Sequence, residues 1–228
     1  MIKHHPKFSL IQAFVNGDVP ASLSVGIAIH ADMCSVCQQK IAQITEQMAE
    51  ISFEQDSPYQ SAAADATKIV TNASFDFNDM IDDIVQLSIL QVNEPKEEKT
   101  ITFKDSTYTL PLALHHTKLS KTARIGKLAR TRIQFDEGEI HSSLLRIEPG
   151  GAVPEHTHKG FELTVLLSGS FHDDSGEYVE GDFIMLEGSK QHHPISTDGC
   201  LCYTVANDAL HFTQGINKLL NPIGSFIY

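Results

Sequence analysis

No uninterrupted apolar run in the 228 residues approaches the ~18 needed to cross a bilayer, which excludes a helical membrane span. The opening residues MIKHHPKFS lack the apolar centre and small-residue cleavage site of a secretory leader, so a cytoplasmic protein is expected. Bases are scarce as well. Lys and Arg number 17 against 29 Asp and Glu, a formal charge of −12, which argues against direct binding to nucleic acid or an anionic membrane surface and leaves a basic partner open. The deficit is concentrated early: residues 1–95 hold 12 acids and 4 bases, −8, and the remainder holds 17 and 13, −4. Repeats and low-complexity tracts are absent, and 41% hydrophobic with 20% charged residues is the composition of a chain that folds. Four cysteines in two tight pairs, Cys34/Cys37 and Cys200/Cys202, in a reducing compartment point to metal or redox chemistry before a disulfide framework.

The pattern changes once along the chain. Helical periodicity covers Ser9 to Asn16, ended by Gly17, then Pro20 to Ala31 and Ser35 to about Ile51. After a polar stretch it resumes around Phe75 to Gln91, where Phe77, Met80, Ile81, Ile84, Val85 and Leu87 recur at helical spacing opposite aspartates. Pro95 and mixed charges then break the periodicity, and short strands divided by turns follow: TITFKDSTYTL, HSSLLRIEPGG, FELTVLLSG, SFHDD, YVEGDFIML and CLCYTVAND. The expected fold class is α+β with two domains: a helical bundle over 1–92, a linker over 93–100 and an all-β domain over 101–228.

His30-x3-Cys34-x2-Cys37 is the first chemical constellation. On continuous helix, spacings of four and three set the three side chains on one face, able to chelate one ion. Imidazole and thiolates suit zinc, and a closed site needs a fourth ligand, for which His4 and His5 on the opening arm are the candidates. A CxxC pair can also serve as a redox couple, with its first thiol activated near a helix start.

Gly150-x5-His156-x-His158-x3-Glu162-x6-Gly169 is the second, and it reproduces the first sequence motif of the cupin superfamily, which residues 101–215 resemble. The even spacings turn the side chains to one face of a strand, which is the lumen of a barrel. Gly181-x10-His192 keeps the ends of the second cupin motif, with Glu187, Ser189 and Ser196 where the family usually has proline, glycine and asparagine. His192 is then the fourth expected ligand and His193 its substitute. Cys200 and Cys202 alternate on a strand and face the same way, as an oxidation-sensitive pair or as buried hydrophobes.

In this order, with the opening KHH and the late Cys-Leu-Cys, these features resemble the zinc-binding anti-sigma factors of the ChrR type over nearly the whole chain. The resemblance implies an N-terminal anti-sigma domain with Zn2+ on His5, His30, Cys34 and Cys37, His5 matching the second histidine of the family's opening pair. It implies a jelly-roll cupin barrel with a second divalent metal, zinc being expected there too, on His156, His158, Glu162 and His192. It also implies a regulator, not an enzyme, that holds an extracytoplasmic-function sigma factor inactive until singlet oxygen or an organic hydroperoxide intervenes. The helix around Phe75 to Gln91 is the candidate for insertion between the sigma factor's domains, its apolar stripe giving affinity and its aspartates steering. A histidine- and glutamate-lined cupin would also suit a metal-dependent dioxygenase carrying an accessory zinc module.

Overall fold

The computed structural model describes residues 1–54, 81–82, 85, 98–104, 106–157, 160–188, 191–207 and 211–212. Met1–Ile44 together with Glu98–Tyr228 form one compact unit, and Thr45–Glu97 a second. Three helices open the chain: α1 (Phe8–Asn16), α2 (Ala21–Met33) and α3 (Ser35–Glu54). Gly17 ends α1 in the left-handed conformation, φ 78°, and its N–H returns to the Phe14 carbonyl. Helix α2, ASLSVGIAIHADM, is apolar around most of its circumference and is buried accordingly, with Leu23, Ile27, Ile29 and His30 inside. The Glu137 carboxylate accepts the Ser22 N–H at its first turn, where an anion meets the positive end of the helix.

Antiparallel strands make the rest: β1 (Thr100–Phe103), β2 (Ser106–Thr109), β3 (Lys118–Leu119), β4 (Ala123–Ile125), β5 (Leu128–Gln134), β6 (His141–Ile147) and β7 (Gly151–Ala152). They continue as β8 (His156–Thr157), β9 (Phe161–Asp173), β10 (Gly176–Val179), β11 (Phe183–Glu187), β12 (Ile195–Ser196), β13 (Cys200–Ala206) and β14 (His211–Phe212). The main sheet runs β3-β5-β6-β13-β9-β12-β7, with β10 and β11 on β9 and β4 on β5. Among the described strands this path is open, so the fold is cupin-like without the closed barrel that the sequence leads one to expect. FELTVLLSG and SFHDD form one 13-residue strand, β9, long enough to serve both halves of the sheet. Of the helix expected around Phe75 to Gln91, only Ile81, Asp82 and Val85 lie among the described residues, and all three are helical.

The first helices and the strands share a core. Leu23, Ile27 and Ile29 of α2 pack with Leu144, Leu163, Val165, Tyr203 and Val205 of the sheet. Gly26 permits the approach, since a Cβ there would fall 2.6 Å from Leu163 Cδ2. The buried Tyr203 hydroxyl donates to the Ser22 carbonyl at 2.8 Å. A second core, with Leu166, Phe171, Tyr178 and Ile184, lies by the cupin site, and a third, Ile11, Cys34, Cys37 and Ile44, surrounds the two cysteines.

Candidate metal centres

His5 Nδ1 lies 3.3 Å from His30 Nε2 and 3.5 Å from both Cys34 Sγ and Cys37 Sγ. One ring nitrogen carries a single hydrogen or a single lone pair, so the three contacts cannot all be hydrogen bonds. They are the spacings of atoms grouped round a common centre. All four donor atoms lie within 4.8 Å of one another and could hold a metal ion. The three sequence-adjacent ligands do not sit on one continuous helix. His30 is in the last turn of α2, Cys34 is the extended residue between helices (φ −127°, ψ 100°) and Cys37 is in the first turn of α3, so the break folds the thiols back toward the imidazole.

The cupin part orients this centre. A carbonyl oxygen only accepts, so the 2.7 Å contact from His30 Nδ1 to the Gly181 carbonyl fixes the hydrogen on Nδ1 and leaves the Nε2 lone pair for the cluster. Burial, helped by His5 and opposed by the Gly181 bond, holds His30 below the ordinary imidazole value. The ring is thus neutral near pH 7, as a ligand must be. Burial first, and the adjacent Cys34 second, push the Cys37 thiol up to about 11, so negative charge on this sulfur calls for a cation beside it.

His5 is placed by its own backbone. Asp182 Oδ1 accepts the N–H groups of Lys3 (2.7 Å) and His4 (3.0 Å), Oδ2 accepts that of Val179 (2.9 Å), and the Phe183 N–H donates to the His4 carbonyl (3.0 Å). His4 turns its ring onto Tyr178, centroids 4.8 Å apart, which leaves His5 as the histidine of the pair that joins the cluster. Gly181 has φ 88°, and a Cβ there would meet Ile2 at 2.5 Å, so the arm needs glycine at this turn. The sequence singled out Gly181 for another purpose and passed over Asp182, whose signal was only its place after that glycine. Asp182→Ala should leave three backbone donors without their acceptor, costing about 3 kcal/mol, and weaken metal binding at the N-terminal centre tenfold or more. Denaturant titration and metal competition on the purified variant check both.

In the second cluster, donor atoms of His156, Glu162 and His192 also lie within 4.8 Å of one another. Glu162 Oε2 stands 3.1 Å from His192 Nε2, and the two imidazole centroids are 4.2 Å apart. Reciprocal backbone hydrogen bonds of 3.2 Å tie His156 to His192 and hold the first and second cupin motifs in register. His156 Nδ1 donates to the Pro154 carbonyl at 2.8 Å, which commits Nε2 to the centre. The Asp173 carboxylate, 4.0 Å from His192 Nδ1, faces that ring from the far end of β9; sequence reasoning missed it, although it lies in the SFHDD segment already read as strand. His192, not His193, enters the cluster, and His158 lies outside the described residues.

These three side chains open on a cavity of about 320 Å³ with mainly apolar walls, including Leu128, Ile147, Val153, Phe171, Ile184 and Leu186. Cys202 lines it as well. Cys200 and Cys202 are both buried, with Sγ atoms 4.0 Å apart. The bond to Cys200, with burial, drives the Cys202 thiol upward.

Residues 114–209 match the family described as the ChrR cupin-like domain. The chain is 25% identical over 226 residues, 97% of each sequence, to the anti-sigma-E factor ChrR of Cereibacter sphaeroides. Its fold matches ChrR in the crystal structure of Rhodobacter sphaeroides SigE in complex with that anti-sigma factor, with a TM-score of 0.59, 19% identity and coverage of 90% of this chain and 99% of that one. An RmlC-like cupin protein from Ralstonia eutropha gives a TM-score of 0.38 at 17% identity, over 43% of this chain and 68% of that one. From end to end in sequence, and with a ChrR cupin-like domain over 114–209, the chain is similar to the ChrR-type anti-sigma factors.

Proposed function

We propose that the protein is an anti-sigma factor that sequesters an extracytoplasmic-function sigma factor and releases it on an oxidative signal received by the cupin domain. The observation that carries this reading is the two-histidine, two-cysteine cluster at the head of a chain similar over 97% of its length to a protein named an anti-sigma factor. The working partition is 1–92 for sigma contact, 93–100 as linker and 101–228 for sensing. Zinc is the ion the first centre suits. Tetrahedral bonds of about 2.05 Å to nitrogen and 2.3 Å to sulfur give edges of roughly 3.3 and 3.6 Å, against the 3.3 and 3.5 Å found. His5, His30, Cys34 and Cys37 would hold it, and zinc there would supply structural cross-linking and no redox chemistry. His156, Glu162 and His192, with His158 from the motif, would hold the second divalent ion.

The charge of −12, weighted to residues 1–95, suits a partner that must present basic surface to DNA. Ile81 and Val85, one helical turn apart, are exposed, as an apolar stripe meant for a partner would be. Among the described residues no helix is long and apolar enough to cross a membrane. Copurification from cells expressing the tagged full-length chain tests the reading: a sigma factor should be retained at equal stoichiometry, and its absence under reducing, metal-replete conditions would sink the proposal. The cavity beside the second cluster supports one competing reading, a metal-dependent dioxygenase. Turnover of a diketone by the purified protein would establish that enzyme.

A further inference from the structure

Four basic side chains, Lys121, Arg130, Arg132 and His141, line the same cavity as the cupin triad. Strand parity delivers two of them. Along β5 the buried Ala129, Thr131 and Ile133 face away from the cavity, and the alternate residues Leu128, Arg130 and Arg132 line it. On β6, His141, Ser143 and Leu145 complete this wall; Arg132 is paired with Ser143, and Arg130 Nε donates to the Ser143 hydroxyl at 2.8 Å. Burial, then the charges of Arg132 and Arg130, hold His141 below the ordinary imidazole value, which places the three groups within electrostatic reach of one another.

The arginines and the triad occupy different parts of one sheet, with His141 in the row that runs through Ala206 to Glu162. Arg132, Ser143, Thr204 and Thr164 follow one another across β5, β6, β13 and β9, and Glu162 is two residues along β9 from Thr164. Three strand spacings of ~4.8 Å put roughly 14 Å of sheet between Arg132 and β9, and the chord across a curved sheet is shorter. The row between them is polar, Ser143 and Thr204, and the apolar lining flanks it: Leu145 and Ile147 on β6, and Ile184 and Leu186 on β11 beyond β9. A pocket of about 320 Å³ with mainly apolar walls and two arginines on one strand is shaped for a small ligand with an anionic head and an apolar body.

We propose that this cavity binds a medium-chain carboxylate, head on Arg130, Arg132 and His141 and chain along the apolar wall toward His156, Glu162 and His192. The proposal rests on the cupin domain being the sensing part, and it names the chemical class that reaches the centre. Decanoate is the probe. At roughly 1.2 Å per bond of extended chain its nine carbon–carbon bonds reach about 11 Å, a length that fits the chord.

Calorimetric titration of the full-length, metal-loaded protein should show decanoate binding at least tenfold tighter than decanol, with decyltrimethylammonium not binding. Arg132→Gln, at an exposed position, should weaken decanoate about tenfold and leave decanol unchanged, and Arg132→Lys should recover part of the loss. Lys121→Gln serves as the second charge variant, with melting curves confirming that both fold. Equal binding of decanoate and decanol would overturn the proposal. So would decanoate binding that vanishes on metal removal yet ignores both charge variants, because the head would then sit on the metal. No sigma factor enters this titration, so its failure is distinct from failure of the copurification.

Discussion

Replacing Cys34 and Cys37 together by alanine is expected to lower the metal content of the purified protein from two ions per chain to about one, with the ion of the cupin cluster retained. The two donor sets share no residue, so their losses should be independent. Stability should fall with the ion. The cysteines belong to a small core with Ile11 and Ile44, and without metal that corner keeps few apolar contacts to hold α1, the junction of α2 and α3, and the opening arm together. If the ion contributes even 3 kcal/mol beyond what the apo fold recovers, melting should drop by roughly 6–12 °C for a chain of this size. Elemental analysis and a thermal melt decide it. Retention of both ions, or loss of both at once, would contradict two separate centres, and an unchanged melt would return the cysteines to the redox reading.

Sequence periodicity located the three helices, with Gly17 after α1 and Pro20 before α2 as chemical boundaries, whereas the break at Cys34 carried no such signal. The motif's spacing singled out His156 and Glu162, but strand period two does not place them, because they stand on two strands, β8 and β9, and meet with His192 through the fold. Strand β5 was missed for a related reason. In LARTRIQ the buried positions are Ala129, Thr131 and Ile133, a weak apolar signal, and the cavity face carries arginines, so the usual contrast between inside and outside is inverted. The contact between the N-terminal cluster and the sheet was beyond any local pattern. It depends on a carbonyl at Gly181 and a carboxylate at Asp182, about 150 residues from His30, and backbone carbonyls leave no trace in side-chain spacing. Nor could spacing choose between His4 and His5; Tyr178 does that by taking the first ring.

That contact shapes the strongest functional test. A fragment of residues 1–92 would lack the Gly181 carbonyl that orients His30, the Asp182 carboxylate that pins the arm and the sheet face that covers Leu23, Ile27 and Ile29. The division of labour between repression and sensing is therefore better tested in the full chain. His156→Ala and Glu162→Gln each remove a donor from the cupin cluster, which should weaken metal binding there on the order of 100-fold or more. Neither residue belongs to the N-terminal cluster, so sigma-factor binding should survive. In cells carrying a sigma-dependent reporter, both variants should keep it at the repressed baseline, and an organic hydroperoxide that induces the parent strongly should leave it there. His158→Ala extends the test to the remaining histidine of the motif. Reporter activity that is high without oxidant would mean that the cupin metal holds the repressing conformation together instead of receiving the signal, a result that a lowered melting temperature of the variants would corroborate. Normal induction in folded, metal-depleted variants would move the sensor elsewhere, and Cys202, which lines the same cavity, would be the next residue to replace.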